Sequence, residues 1–323
     1  MPFLNEAPSL PRVLDSLAQQ DIERERLFLI AIDSGSDDGG DDIVRRWLAD
    51  TGIAGLVARA PKRGIPQALN AGLACVAADD IVVRLDSHTL YDRHYLSTLV
   101  RALATVEDEI WCVGGAPLPA PGEDFKTALG EAFYSNPMAL GPADFRGTSE
   151  AGQRVSTVYL GAFRAGVLQR LGGWDERWEA NEDCELSERI MAAGGFIARV
   201  DVRCGVITTR GPLATVLQRA RYGYWRMQTF KRFPGAVRPR HIVPPAILLA
   251  SPFVFWRSAR GLFALAMIAY ALATVAGRRS GEAPAITLAS LIFFPAVQCA
   301  YAAGLIVGLM HTPAAIRHHA LGE

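Results

Sequence analysis

The first two hundred residues alternate short apolar runs with stretches of helical periodicity. Strand-like runs occupy 27–33 and 79–86, and helix-like stretches occupy 9–20, 41–50, 65–77 and 94–105. Strands that alternate with helices of about ten residues predict an α/β domain built from βαβ units around a mostly parallel sheet. Ligands of such sheets bind beyond the carboxyl ends of the strands, so side chains at those ends are the first candidates for a functional site.

The first strand of this sheet is expected before the segment PFLNEA (2–7), where the sequence supplies only MPFL. Either the first strand is unusually short, or the true start of the chain lies upstream. The segment MPFLNEAPSL lacks the charged and apolar regions of a signal peptide, so we expect the first 200 residues to remain in the cytosol. Five widely spaced cysteines without a CxxC pair indicate neither a disulfide framework nor a zinc site.

Charge is distributed unevenly along the chain. Residues 1–201 contain 19 Lys and Arg against 31 Asp and Glu, whereas residues 202–281 contain 13 basic and no acidic residues. The segment 219–241 combines Arg with Tyr, Trp and Phe. Such a composition also occurs in nucleic-acid-binding proteins, but directly before apolar segments it favours a membrane-interface belt and a positive-inside anchor.

Three apolar segments follow, at 242–256, 261–277 and 284–310. The third is long enough to span a bilayer. We therefore expect three domains or regions: 1–210, a basic and aromatic segment at 211–241, and a membrane region at 242–323. The favoured topology is a multi-pass protein of the inner membrane with three crossings and its soluble domain in the cytoplasm. Alternatives are an interfacial position for 242–260 and core helices of a soluble domain.

The segment RLDSHTL (84–90) follows the strand-like run at 79–86. Asp86 and His88 are alternate residues of a strand end and project to the same side. A carboxylate and an imidazole are ligands for Mn²⁺ or Mg²⁺, so this pair predicts a metal site. The alternative is that the histidine only makes hydrogen bonds within a loop.

Other charged groups lie near element ends. Asp33, at the end of the run 27–33, is placed to accept hydrogen bonds from a base or ribose, while Ser36 or Asp38 is expected to cap the next helix. Lys62 and Arg63 precede a helix and suit a phosphate, although a solvated basic turn has the same sequence. Glu182 and Asp183 begin a helix whose predicted buried face carries Leu186, Ile190 and Met191, and simple capping would also explain these two acids.

Six segments carry a resemblance to a known family. They are PFLNEA (2–7), DSGSDDG (33–39), PKRGIPQALNAGL (61–73), DSH (86–88), NED (181–183) and QRARY (218–222). In this order they resemble motifs of family 2 glycosyltransferases with the GT-A fold, among them D-x-D and Q-x-x-R-W. The chain resembles in particular the membrane-associated exopolysaccharide glycosyltransferases of the succinoglycan glucosyltransferase type.

The resemblance implies a role for each matched residue. Asp183 would be the general base, with Glu182 and Tyr222 near the acceptor. Asp86 and His88 would bind Mn²⁺ or Mg²⁺. The donor nucleotide-sugar would contact Pro2, Glu6, Asp33, Arg63, Asn70, Asp86, Gln218 and Arg221.

Two departures from the family pattern affect these assignments. His88 replaces the second carboxylate of D-x-D, which lowers the negative charge of the metal site. Tyr222 replaces the usual tryptophan near the acceptor.

The resemblance implies an inverting transferase that moves a sugar from a nucleotide-diphospho-sugar, with UDP-sugars favoured, to a lipid-linked saccharide in exopolysaccharide or cell-surface glycan synthesis. The partners of the chain would be the nucleotide-sugar donor, the saccharide acceptor and the membrane, and no nucleic acid. Two alternatives stay open: a membrane-tethered, non-catalytic binding or assembly protein on the same fold, and a processive polysaccharide synthase. The sequence does not identify the donor sugar, acceptor or linkage, because loops such as 117–155 carry no motif.

Overall fold

The computed structural model describes residues 1–122, 124–140, 152–207, 211–239, 241–243, 246, 257–313 and 316. The chain forms two compact units, one comprising Met1–Leu118 with Asp144–Ile207 and the other Pro119–Ala143 with Thr208–Glu323. The first unit contains the predicted βαβ region, and the second contains the basic and apolar segments.

The strands of the first unit form two sheets. β1 (Pro2–Phe3), β2 (Phe28–Asp33) and β3 (Ala54–Arg59) form a parallel sheet in that order. The second sheet has the order β4-β8-β6-β9-β5, with β7 beside β9. Its strands are β4 (Ile81–Val83), β5 (Thr89–Tyr91), β6 (Ile110–Pro119), β7 (Arg154–Val155), β8 (Tyr159–Arg164) and β9 (Phe196–Val206).

The helices agree closely with the predicted periodic stretches. In the first unit they are α1 (Leu10–Ala18), α2 (Gly40–Thr51), α3 (Ile65–Leu73) and α4 (Tyr95–Thr105). The second unit then contributes α5 (Phe125–Ser135) and α6 (Pro137–Leu140), and the first continues with α7 (Ala165–Arg170) and α8 (Glu182–Ala192). The second unit continues with α9 (Pro212–Arg232), α10 (Arg257–Ala276) and α11 (Pro284–Met310).

The predicted parallel arrangement is confirmed for β1, β2 and β3. In the second sheet the strand pairs β4–β8, β6–β8, β5–β9 and β7–β9 run antiparallel. β4 therefore gains its partner from a strand eighty residues later rather than from the preceding βαβ unit, and apolar periodicity alone does not reveal such a pairing. β4 is also shorter than the predicted run 79–86, so residues 84–86 extend beyond it as irregular chain.

Amphipathic helices cover the sheets of the first unit. α1 buries Leu10, Val13, Leu14 and Leu17, the i, i+3, i+4, i+7 pattern of a helix with one apolar face. Leu186 and Ile190 of α8 are buried as predicted, in a cluster with Trp174 and Leu168, and Met191 is half-buried. This packing fixes the start of α8.

The second unit is held together by close packing of α9 against α11. A Cβ atom at Gly223 would lie 2.1 Å from the carbonyl oxygen of Tyr301, and one at Gly304 would lie 2.0 Å from that of Ala220. Only glycine allows the two helices to approach so closely. A second cluster joins Phe133 of α5 with Phe293 and Phe294 of α11.

Within the described residues, α11 is the one helix that is long and apolar enough to cross a membrane. Of its most apolar stretch of 18 residues, 44% is buried inside the protein. α10 contains a shorter apolar stretch, Phe263–Ala276. The predicted segment 242–256 lies almost entirely outside the described residues. The expected three crossings are therefore not supported, and one candidate span remains.

A cavity of about 630 Å³ is lined by residues of both β2 and β4, including Ile30, Ile32 and Val83, and by Met1. β1 is only two residues long and pairs with β2 at Ile32 and Asp33. The amino group of Met1 donates a hydrogen bond to the carbonyl oxygen of Ile30 at 2.8 Å. Burial lowers the pKa of this amino group to about 5. In the described chain β1 is thus two residues long, and the cavity adjoins its amino end.

We predict that an apolar extension of β1, such as Val-Ile-Val placed before Met1, stabilises the fold. The added strand would pair with β2 and fill part of the cavity with apolar side chains, raising the melting temperature by roughly 4 °C or more. A Gly-Ser-Gly extension is the matched control, because it displaces the amino group without filling the cavity. Equal melting temperatures for the two extended chains would refute this prediction.

The Met1 amino group also predicts a pH dependence. Its pKa is about 5 in the folded chain against an ordinary value of 8.0, so the unfolded chain binds more protons between these values. Stability contributed by this group is therefore full above pH 8 and is lost as the pH falls towards 5. Both extended chains should lose this component. Melting curves are recorded at pH 8 and pH 5.5. The loss of stability between these two pH values should be larger for the unextended chain than for either extended chain.

Candidate functional site

Asp33 ends β2 with its side chain 7% exposed. Its Oδ1 accepts hydrogen bonds from the backbone N–H groups of Gly35 at 3.0 Å and Ser36 at 2.8 Å, and from Ser36 Oγ at 2.6 Å. Burial acts to raise the pKa of Asp33, but these hydrogen bonds outweigh it and the net shift is downward. Asp33 is therefore an ionised acceptor at the strand end.

The turn after β2 is locked to the turn after β1. The backbone N–H of Asn5 donates to Ser36 Oγ, and the Asn5 side-chain oxygen accepts from the N–H of Asp37, both at 3.0 Å. Asn5 has a φ of 53°, a left-handed conformation that asparagine tolerates. The first residue of α2 receives its bond from Asp38, whose Oδ1 accepts from the Gly40 N–H at 3.1 Å. The N-cap residue of α2 is Gly39, without a side-chain capping bond, so neither predicted residue is the N-cap. Asp38 binds the first turn from the preceding position, and Ser36 binds Asp33.

Glu6 connects the first turn to the segment after β4. Ser9 Oγ lies 2.7 Å from Glu6 Oε2 and 2.9 Å from the carbonyl oxygen of Ser87. Glu6 Oε1 lies 3.4 Å from His88 Nδ1. The two motifs that supply Glu6 and His88 are far apart in sequence, and the structure brings their side chains into contact.

Asp86 is held by two tyrosines as well as by charge. Its backbone N–H donates to Tyr91 Oη at 2.7 Å, and the hydroxyl of Tyr159 donates to Asp86 Oδ2 at 3.5 Å. Burial raises the pKa of both tyrosines well above the ordinary value, so both hydroxyls stay neutral donors. Tyr91 therefore holds the backbone of Asp86, and Tyr159 is the tyrosine whose proton is directed at the carboxylate.

Arg84 joins Asp86 to the start of α8. Its Nη2 donates to Glu182 Oε1 at 2.9 Å, and its Nε lies 3.5 Å from Asp86 Oδ1. Burial acts to lower the pKa of Arg84, but the carboxylates of Asp86, Glu182 and Asp183 outweigh it and raise the value. The helix begins after Asn181, which has a left-handed φ of 58°. Asp183 follows Glu182 directly and is half-buried.

The loop before α8 is anchored on two sides. Asn70 of α3 donates to the carbonyl oxygen of Trp174 and accepts from its N–H, both at 2.8 Å. Arg189 of α8 donates to the carbonyl oxygens of Leu171 at 2.7 Å and Gly173 at 2.8 Å, and it pairs with the fully buried Glu185. These bonds fix the path of the chain into the NED motif.

The remaining predicted residues have different surroundings. Pro2 is buried in β1, and Arg63 is exposed just before α3. In the second unit, Gln218 donates to the Tyr222 hydroxyl at 3.0 Å within α9, and Arg221 is exposed on the same helix. Their roles toward a donor or acceptor remain predictions.

The donor set fits a divalent cation. Asp86 and His88 offer a carboxylate and an imidazole nitrogen, which are ligand types that Mn²⁺ accepts. Within the part of the chain that the structure describes, no three His, Cys, Asp or Glu side chains are grouped as a self-sufficient metal site. Asp86 and His88 are thus compatible with the predicted metal.

Sequence reasoning did not identify Arg84, Tyr159 or Arg189 as parts of this region. Arg84 stands two residues before Asp86, a spacing that itself indicates a shared side of an extended segment. Glu185 and Arg189 are spaced i, i+4 on one helix, which is a usual ion-pair spacing. Tyr159 gives no sequence signal, because only the pairing of β8 with β4 brings it near Asp86.

Comparisons with known proteins bear on the family and the fold of the chain. Residues 1–137 match the family described as Glycosyl transferase family 2. The chain is 28% identical over 302 residues to the succinoglycan biosynthesis protein ExoA of Rhizobium meliloti (strain 1021), covering 90% of this chain and 89% of that protein.

Two solved structures show the same fold at low sequence identity. The mannosyltransferase PcManGT from Pyrobaculum calidifontis, in complex with GDP-Man and Mn²⁺, has a TM-score of 0.60 at 23% identity, covering 95% of this chain and 85% of that one. S. aureus TarS 1-349 in complex with UDP-GlcNAc has a TM-score of 0.53 at 12% identity, covering 94% and 88%. The fold is thus the GT-A fold.

We predict that Asn70→Ala lowers the free energy of unfolding by about 1–3 kcal/mol, because it leaves the backbone N–H and carbonyl of Trp174 without their partner. Gln67→Ala is the matched control on the same helix, since Gln67 makes one exposed bond to the Glu176 carbonyl. That control should change stability by less than about 0.5 kcal/mol. Denaturant unfolding of both variants provides the measurement, and equal losses would contradict the anchoring role.

Proposed function

We propose that this chain, a glycosyltransferase with a family 2 domain on the GT-A fold, moves a sugar from a nucleotide-diphospho-sugar to a saccharide acceptor with inversion at the anomeric carbon. The observation that carries this proposal is the convergence of strand-end and helix-start carboxylates. Asp86, beyond β4, and Glu182, beside Asp183 at the start of α8, share the guanidinium of Arg84.

The donor is proposed to bind across the turns that follow β1, β2 and β4. Asp33 and Glu6 would accept hydrogen bonds from the nucleoside, with Pro2 shaping the first turn and Asn70 behind the site. Arg63 would lie near the nucleoside. Gln218 and Arg221, from the segment that resembles Q-x-x-R-W, would steady the diphosphate, Arg221 because a guanidinium pairs well with phosphate oxygens. Asp33 supports this proposal because its lowered pKa keeps it an acceptor at neutral pH.

Asp86 and His88 are proposed to hold Mn²⁺ or Mg²⁺ together with the diphosphate of the donor. When bound, the cation would neutralise charge that develops on the departing diphosphate. The Mn²⁺ named with the archaeal mannosyltransferase supports metal use by this chain as well. UDP-sugars are the donors that we propose to test first, with GDP-mannose as the comparison.

Asp183 is proposed to act as the general base. It would take the proton of the acceptor hydroxyl while that oxygen forms a bond to the anomeric carbon and the carbon–oxygen bond to the diphosphate breaks. The nucleoside diphosphate then leaves from the opposite face. Glu182 and Tyr222 are proposed to lie beside the acceptor.

The acceptor is proposed to be a lipid-linked saccharide in exopolysaccharide synthesis, at the cytoplasmic face of the inner membrane. The name of the Rhizobium relative supports the pathway. Exposed apolar side chains on α10, such as Leu265, Ile268 and Leu272, support contact with lipid. α11 is the candidate span.

We predict that Asp183→Asn retains nucleotide binding but lowers turnover by roughly a hundredfold or more, as loss of a positioned base does. Transfer assays with the membrane fraction and UDP titration of the same preparation measure the two effects separately. Glu188→Gln changes another acid of α8 and serves as the control, with activity expected near that of the unmodified chain. Near-normal transfer by Asp183→Asn would rule out this base.

We further predict that His88→Ala weakens Mn²⁺-dependent UDP binding by about tenfold, since one metal ligand is lost. UDP binding without Mn²⁺ should be unchanged. Calorimetry with and without Mn²⁺ separates the two, with His94→Ala as the control because His94 pairs with Asp21 instead. UDP affinity that is independent of Mn²⁺ in the unmodified chain would exclude a metal role for His88.

A further inference from the structure

Arg84 is a buried cation between two carboxylates from separate elements. Its side chain is 10% exposed, against 15% for Asp86 and 7% for Glu182. Asp86 follows β4, whereas Glu182 is the first residue of α8. The guanidinium is the group through which these two parts of the site are joined.

The three charges depend on one another. A buried ionised group is strongly unfavourable unless an opposite charge and hydrogen bonds compensate it. Glu182 receives its charge-assisted bond from Arg84 at 2.9 Å, and Asp86 receives a longer contact at 3.5 Å. Arg84 is thus bound more closely to the acidic motif than to Asp86.

We propose that Arg84 is a positioning residue that links the donor site to the base. By holding Glu182 it fixes the first turn of α8 and therefore the adjacent Asp183. By placing a positive charge beside Asp86 it weakens the binding of a free divalent cation, so that cation and nucleoside diphosphate bind together. This inference rests on the metal-dependent transfer proposed above.

The charged groups around Asp86 determine how strongly it attracts a free divalent cation. Arg84 repels a cation that approaches Asp86, and Glu182, the carboxylate nearest to the guanidinium, offsets only part of that repulsion because it lies on the side of α8. Glu6 offers a carboxylate at the same site, but it contacts His88. The negative diphosphate of a bound donor would offset the charge of Arg84, which makes the binding of cation and nucleotide cooperative.

The test compares Mn²⁺ binding with turnover in Arg84→Gln, Arg84→Lys, Glu182→Gln and the double variant Arg84→Gln/Glu182→Gln, all in the full chain. Free and bound Mn²⁺ are measured by electron paramagnetic resonance, first without nucleotide and then with UDP. We expect Arg84→Gln to bind free Mn²⁺ about tenfold more tightly and to gain less from UDP. Its turnover falls, whereas Arg84→Lys keeps the weak Mn²⁺ binding and part of the turnover.

A purely structural role gives a different result. If Arg84 only maintained the shape of the site, its loss would weaken Mn²⁺ binding as Asp86 moved, so equal or weaker binding by a folded Arg84→Gln overturns the proposal. Should Arg84→Gln not fold, the double variant removes both buried charges and is compared with Glu182→Gln. Tighter Mn²⁺ binding by the double variant supports the proposal, and equal or weaker binding overturns it.

Two outcomes distinguish a failure of the proposed metal-dependent function from a failure of the role of Arg84. If the unmodified chain binds no Mn²⁺ either with or without UDP, the metal part of the proposed function falls, and the role of Arg84 falls with it. If the unmodified chain binds Mn²⁺ cooperatively with UDP but Arg84→Gln behaves identically, only the role of Arg84 is overturned.

Discussion

The burial of charge at the carboxyl end of β4 is the constraint on which the rest of the site depends. Two carboxylates from different elements are largely removed from water there, and one guanidinium contacts both. Burial still outweighs the attraction of Arg84 for Glu182 and raises the pKa of that carboxyl. The arrangement requires that Arg84 follow a strand and that α8 begin at Glu182. The sheet and the helix packing serve to meet that requirement.

The packing around α8 fulfils the second part of this requirement, which is that the helix begins at Glu182. Leu186 and Ile190 fix the rotation of the helix, while Arg189 and Asn70 hold the loop that leads into it. A base positioned at a helix start is precise only when the helix itself cannot rotate or slide. The packing of α8 and the bonds of the loop before it thus set the position of Asp183, the proposed base.

Much of this architecture could be predicted from the sequence. The apolar patterns located α1, α2 and α4 within two residues of their ends, and the strand-end rule indicated Asp33 and Asp86. The motifs indicated Asp183. These features are local, because each depends on the periodicity or spacing of neighbouring residues.

The features that sequence reasoning did not reach depend on contacts between distant segments. Tyr159 approaches Asp86 only because β8 pairs antiparallel with β4. Arg84 belongs to a run that the sequence predicts as a strand, and only the position of Glu182 shows that it connects two elements. An apolar segment has the same composition whether it contacts lipid or packs against other helices, so composition alone does not give the number of crossings. Within the described residues one candidate span remains, and α11 buries 44% of its most apolar 18-residue stretch.

The central claim is that Asp86 and His88 form a metal site that is completed by the nucleotide. Pulsed electron paramagnetic resonance of Mn²⁺ in the presence of UDP tests it directly, because an imidazole nitrogen bound to Mn²⁺ produces a characteristic nitrogen coupling. We expect this coupling in the unmodified chain and its loss in His88→Gln. A Mn²⁺–UDP complex of the unmodified chain without nitrogen coupling would contradict the account.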